Sequence, residues 1–366
     1  MSQLSKMRLR NRPSVAKRQE ANFGRLAILP ALILILVFTV APTLLAFGLS
    51  LFNARLVSPT PPTFVGLDNF WRLLSIEFRT VSPLHDQSGH LLRTASGLLE
   101  FPAARDIQHG VDPLHLKSEL SSWLINGGKS KFYILAGDPL FWKSLLNTLV
   151  FVCVVVPIQA GLALLLALFV NLKRIGSNFF RTIIFIPVVT SMIVISILWL
   201  FMYQKDGLIN NMIKLVDPAW VSVDWLGNPK TSLFAIIIMS IWQAVGFHMI
   251  IWLSGLQTIA GELYEAATID GANAWQRFLH VTWPGLKNTR IFILITITIA
   301  AFGLFAQVNV MTQGGPLDST TTLVYQAFLA AYGRQQMGYG STIAVVFFGI
   351  VLTISLVQRW LTREKE

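Results

Sequence analysis

Six stretches of this chain carry no charged side chain: residues 26–54, 144–172, 182–204, 231–261, 291–317 and 335–358. Each exceeds the roughly 20 residues that cross a ~30 Å hydrocarbon core as a helix. A single Lys or Asp at the centre of such a helix would cost about 2.5–3.5 kcal/mol, so the absence of any is informative. The pattern predicts an all-α membrane protein with six transmembrane helices. Pro30, Pro42, Pro157 and Pro187 fall inside the runs, as kinked membrane helices tolerate. A charged fraction of 13% against 54% hydrophobic residues excludes an ordinary soluble domain. Within the spans only His248 titrates near neutral pH.

Lys and Arg set the expected orientation. They crowd the N-terminal tail (Lys6, Arg8, Arg10, Arg12, Lys17, Arg18, Arg25), the loop with Lys173, Arg174 and Arg181, the segment with Arg277, Lys287 and Arg290, and the C-terminal Arg359, Arg363 and Lys365. The alternate short loops carry only Lys205, Lys214, Lys230 and Arg334. Both termini and the 262–290 segment are therefore expected in the cytoplasm, where the basic groups face anionic lipid. The net charge of +11 is thus a topology signal, and no nucleic-acid partner is needed to explain it. The apolar run after Leu26 is too long for a cleavable signal and is read as an uncleaved first span. Cys153 is the single cysteine and lies in the second run, so no intrachain disulfide forms; it reads as a small packing residue.

Between the fourth and fifth runs sits a polar stretch, Glu265-Ala266-Ala267-Thr268-Ile269-Asp270-Gly271-Ala272, followed by Phe278 and Pro284. Residues 262–269 read as a short helix. Gly271 can adopt the left-handed conformation that ends it. Asn273 or Gly271 can start a second helix, expected to run to about His280, and Pro284 stops that element before the next span. Ala266, Ala267 and Ala272 leave the backbone open to close approach. Two short helices joined at a glycine make a knob suited to a groove on another protein.

The eight positions Glu265, Ala266, Ala267, Asp270, Gly271, Ala272, Phe278 and Pro284 resemble the ATPase-coupling loop of ATP-binding-cassette importer permeases. Phe180-Arg181-Thr182 before Phe185-Ile186-Pro187, the stretch from Trp242 to Met249, the stretch from Leu253 to Gln257, and Gly314-Gly315-Pro316 are similar to the carbohydrate-uptake branch, which includes the maltose and glycerol-phosphate transporters. The resemblance covers about 26–75 and 138–360. It implies the type I importer architecture in a bacterial inner membrane. It also implies several partners: a pair of ATPase subunits that bind the ATP, a second homologous permease, and an external solute-binding protein. No cofactor or metal is expected on the chain itself. The implied cargo is a sugar, oligosaccharide, polyol or related polar solute moved by alternating access. By distance from the coupling motif, Ser240, Ala244 and Phe247 stand where the maltose branch lines its sugar site. Candidate solute contacts are Ser240, Trp242, Gln243, Phe247 and His248 in the fourth span, with Phe302, Phe305, Gln307, Asn309 and Thr312 in the fifth. They offer amide or hydroxyl partners beside aromatic faces. Read without the resemblance, the same polar groups serve as interhelical glue.

The expected organisation is a basic tail (1–25), helix 1 (26–53), an external segment (54–143), a core permease domain (144–358) and a short tail (359–366). Residues 62–71 and 138–147 look like the two halves of a short external connection in sugar permeases, so about 76–137 reads as a small external insertion. In it, 114–124 looks helical and 132–135 suits a strand. Gly127-Gly128-Lys129-Ser130 ends like a phosphate loop, but Trp123 stands where that motif needs its first glycine. His85, His90, His109 and His115, with Asp86, Asp106 and Asp112, match no zinc spacing and read as solvated loop residues. A secondary transporter or channel would show intramembrane acids or an inverted repeat, and neither is evident. An intramembrane enzyme would need catalytic residues that the spans lack.

Overall fold

The computed structural model describes residues 23, 27–86, 88, 90–94, 97–108, 117–172 and 176–362. The basic residues before Arg25, Arg25 itself, Lys173, Arg174, Arg363 and Lys365 lie outside these, as do His109, Asp112 and His115.

Helix α1 (Ala27–Leu49) crosses first, and none of its most apolar window is buried. A wide π turn at Leu36–Val40 precedes Pro42; such a turn accommodates the ring and its missing N–H. A two-stranded ribbon pairs β1 (Phe52–Asn53) with β2 (Thr63–Phe64), and α2 (Asp68–Leu74) follows. The membrane part is helical, but the lobe that follows is not. There β3 (Ile76–Val81), β4 (Ser118–Ile125) and β5 (Ser130–Ala136) form an antiparallel sheet in the order β3-β5-β4. Expected helix at 114–124 is therefore corrected to strand over its described part from Ser118 onward. Trp123 pairs opposite Phe132 and their rings lie 4.9 Å apart, a cross-strand contact that outweighs local helix propensity. The phosphate-loop look-alike is the turn of this hairpin, with Asn126, Gly127 and Gly128 all at positive φ. In the lobe His90 comes within 3.9 Å of Asp86.

Helix α3 (Pro139–Asn171) has 33 residues and so spans about 50 Å. Asp138 starts it by accepting the Phe141 N–H at 3.1 Å. The same carboxylate accepts Gln326 Nε2 at 3.0 Å and the Tyr339 hydroxyl, which ties the start of this helix, just after the lobe, to the last part of the bundle. The uncharged run at 182–204 is broken rather than continuous: α4 (Ser177–Val189) and α5 (Met192–Met202) meet at 98°. Thr190 and Ser191 are extended there, three residues beyond Pro187. Helix α6 (Leu208–Val216) leads to α7 (Ser232–Gln257). Beyond it lie α8 (Gly261–Ile269), α9 (Ala274–Arg277), α10 (Lys287–Phe302), α11 (Ala306–Met311), α12 (Leu323–Phe328) and α13 (Met337–Thr362). The fifth span is α10 plus α11, kinked at residues 303–305. Counting the bent pair as one span gives six.

The core lies where α3, α7 and α10 meet, around Ala163, Ala167, Met249 and Ile297. Trp252 Nε1 donates to Ala160 O at 3.1 Å. At Gly246 the backbones of α7 and α4 are so close that a Cβ would fall 2.3 Å from Ile184 O.

Candidate functional site: a helix–glycine–helix knob and a midplane cavity

The 262–290 segment lies at the end of the bundle opposite the lobe. Helix α8 closes in a Schellman turn: Gly271 N–H donates to Thr268 O at 3.1 Å and Ala272 N–H to Ala267 O at 2.9 Å. Gly271 sits at φ +76°, which a glycine adopts without steric cost. Asn273 is the residue that starts the second helix. Its Oδ1 accepts Gln276 N–H at 2.9 Å, and its own N–H donates to Gln276 Oε1 at 2.8 Å, a reciprocal capping box. This element runs past His280, through a π turn at Phe278–Thr282 and a last turn at Trp283–Gly285. The wide turn admits Pro284, and the chain breaks at Leu286. Tyr264 Oη and Thr282 Oγ1, 2.9 Å apart, and Arg277 Nη1 donating to Thr268 Oγ1 at 3.2 Å hold the two arms together.

The motif residues divide in two. Phe278 stacks on Trp275 with ring centroids 5.6 Å apart and packs against the core, so it roots the knob. Ala267 and Ala272 are half-buried at the hinge. Glu265, Ala266, Asp270, Gly271 and Pro284 are exposed. Among the described residues the carboxylates of Glu265 and Asp270 meet no hydrogen-bond or ion-pair partner. Asp270 also caps the C-terminal end of α8, where the helix dipole disfavours a negative charge. Ile269 is 86% exposed and Trp275 68%. Exposed acids thus stand beside exposed apolar side chains on the knob.

Midway along the bundle a cavity of about 120 Å³ is lined by Gln159, Met192, Ser240, Gln243, Ala244, His248 and Gln307 among others. Ser240, Gln243 and His248 reach it from one face of α7, at the i, i+3 and i+8 positions, and Gln307 comes from α11. Ser240 Oγ is buried there with no hydrogen-bond partner among the described residues. His248 Nδ1 lies 2.8 Å from the Gln159 amide and 3.0 Å from Ala244 O. Gln243 donates to Pro187 O at 3.4 Å, linking the cavity to the break between α4 and α5. Six expected residues stand elsewhere, among them Phe302, buried in the core, and Thr312, whose Oγ1 lies 2.7 Å from Thr320 Oγ1. Trp242 leans on Trp199 at 5.5 Å beside an apolar pocket. Phe247 meets His248 edge-on and is half-exposed. Phe305 packs against Phe328 at 5.0 Å, and Asn309 is half-buried outside the cavity. Gln159 was not singled out from sequence. Its signal is an amide near the middle of the apolar run of the second span, where the other two amides, Asn147 and Asn171, stand close to the ends.

A cavity of this size has room for a few waters among its polar lining groups.

Residues 140–365 match the model of the family described as binding-protein-dependent transport system inner membrane component. The chain is 37% identical over 243 residues to the lactose transport system permease protein LacF of Rhizobium radiobacter, covering 65% of this chain and 82% of that one. It is 32% identical over 348 residues to the trehalose/maltose transport system permease protein MalF of Thermococcus litoralis, covering 95% and 96%. Among solved structures, a bacterial ABC transporter involved in the import of the acidic polysaccharide alginate superposes with a TM-score of 0.67. That match covers 95% of this chain and 98% of that one at 18% identity, a likeness of fold.

Proposed function

This chain belongs to the binding-protein-dependent transport system inner membrane components, and on that premise we propose that it passes a sugar or sugar-like solute through the membrane by alternating access, driven by ATP hydrolysis in separate ATPase subunits. The knob at 262–290 carries the reading. Its exposed acids and apolar side chains are rooted by Phe278, so a push from a partner is delivered directly to the ends of α7 and α10. The ATP is bound by the partner pair, and a second permease completes the pathway. The lobe side faces the external solute-binding protein, and both termini with the knob face the cytoplasm, a reading that the Lys and Arg distribution supports. Names among the relatives, lactose and trehalose/maltose, support a sugar as cargo.

Ser240, Gln243, His248 and Gln307, with Gln159, supply hydroxyl, amide and imidazole partners for such a solute once the cavity widens. Glu265 and Asp270 present charge to the ATPase. Replacing both with Ala is expected to abolish ATP-dependent uptake in vesicles holding the whole complex while leaving the subunit folded. Uptake near the wild-type rate would refute the coupling role.

A further inference from the structure

Helix α6 connects the third and fourth spans on the lobe side and has no part in the knob or the cavity. Its start is pinned to the end of a span: a Cβ at Gly207 would lie 2.5 Å from Met202 O and 2.6 Å from Phe201 O. Leu208 therefore begins beside the apolar end of α5. The roll of the helix is fixed by Asn210, which is fully buried. Its Nδ2 donates to Val223 O at 2.9 Å, and its Oδ1 accepts Trp220 Nε1 and Val223 N–H at 3.1 Å each.

With that roll fixed, α6 shows three sectors. Ile209, Asn210 and Ile213 face the protein. Leu208, Met212, Leu215 and Val216 fall within about 100° of one another on the helical wheel, and they are 53%, 57%, 85% and 89% exposed. Only Asn211 and Lys214 make a polar wedge between these two faces. The exposed stripe continues the apolar surface of α5, where Leu198 and Phe201 are 55% and 58% exposed. An apolar stripe beside a narrow polar wedge, next to the apolar end of α5, is the pattern of a helix lying in a bilayer interface.

We infer that α6 is an interfacial anchor whose stripe sits among the lipid headgroups and first acyl carbons, with Lys214 and Asn211 toward water. The inference rests on the flanking helices being membrane spans; it depends neither on orientation nor on coupling, so a failed uptake assay leaves it standing. The attraction is apolar, because Lys205, Lys214 and Lys230 in this connection are matched by Asp206, Asp217 and Asp224.

The test uses the assembled transporter in phosphatidylcholine vesicles, in a Cys153→Ser background, with a nitroxide on Asn211→Cys, Met212→Cys or Leu215→Cys. The ratio of oxygen to nickel-chelate collisions at 212 and 215 is expected to exceed that at 211 by about five-fold or more, as for side chains dipping 5–10 Å below the headgroups. Equal ratios at all three positions overturn the inference. So does shielding of 212 and 215 from both reagents, which would mean a protein covers the stripe: the second permease if constant, the binding protein if it appears only when that protein is added. Phosphatidylglycerol in place of phosphatidylcholine should leave the ratios unchanged. A pattern that appears only in phosphatidylglycerol would mean electrostatic adsorption and also overturns it.

Discussion

Gly271 offers the sharpest test of the knob, because its role separates into conformation and hydrogen bonding. At φ +76° an added Cβ would meet nothing within 4 Å, so Gly271→Ala introduces no clash. It carries only the cost of a left-handed L-residue, about 1–2 kcal/mol. Asn visits that region more readily, so Gly271→Asn should cost less. Gly271→Pro fixes φ near −65° and also removes the N–H that donates to Thr268 O at 3.1 Å, so the observed turn cannot form. A shift of 1–2 kcal/mol is a factor of roughly 5–30 in an equilibrium, which bounds the loss of correctly bent knobs in the Ala variant. Uptake driven by ATP in vesicles should therefore fall in the order Gly, Asn, Ala, Pro, with Pro near zero. Thermal melting of the membrane subunit should stay within a few degrees of wild type, since the residue is exposed and far from the core. Transport by the Pro variant at the wild-type rate, or a loss of transport in Ala equal to that in Pro, would refute the conformational argument. A parallel loss of melting temperature would show that the glycine supports the fold rather than the coupling.

Other outcomes follow from the same structure. Gln307→Ala should reduce transport about ten-fold, since a lost polar contact to a buried group costs about 1–3 kcal/mol, while ATP hydrolysis by the complex persists. Asn309→Ala, outside the cavity, should leave transport nearly unchanged, and equal losses in the two would remove the cavity from the pathway. Gly246→Ala should cost several-fold in yield of folded complex, because its Cβ would meet Ile184 O at 2.3 Å; gel filtration and melting measure this, and an unchanged profile would mean that α4 moves aside freely. In the lobe, Lys117 and then Arg79 hold the Glu77 carboxyl below its ordinary value of 4.5. A depressed carboxylate stabilises the fold above that ordinary value, and the contribution is lost as pH falls through the lower folded one. With the partly exposed Lys117 pair at 2.8 Å the loss is under about 1 kcal/mol. Hydrogen exchange in β3 should quicken only below about pH 4.5, and Glu77→Gln should abolish that dependence.

The membrane class was readable because its cause is local: an uncharged run longer than the bilayer is thick has few other places to go. The knob was readable for the same reason. Its glycine bend and Asn273 cap depend on residues within a few positions, and each side chain's preference agrees with its neighbours. The break in the third span was not, since Pro157 sits inside an unbroken α3 while Pro187 precedes a 98° bend. A proline in an apolar run does not by itself fix a break; the close approach of α7 at Gly246 and the bond from Gln243 to Pro187 O belong to the bent arrangement. Strand β4 was misread because Leu, Lys and Glu suit a helix by propensity, and only pairing with β5 makes an extended chain the better state. The cavity needed the fold most. Gln159 and His248 are 89 positions apart, and only helix packing, which brings distant uncharged polar groups to one depth in the bilayer, could make them partners.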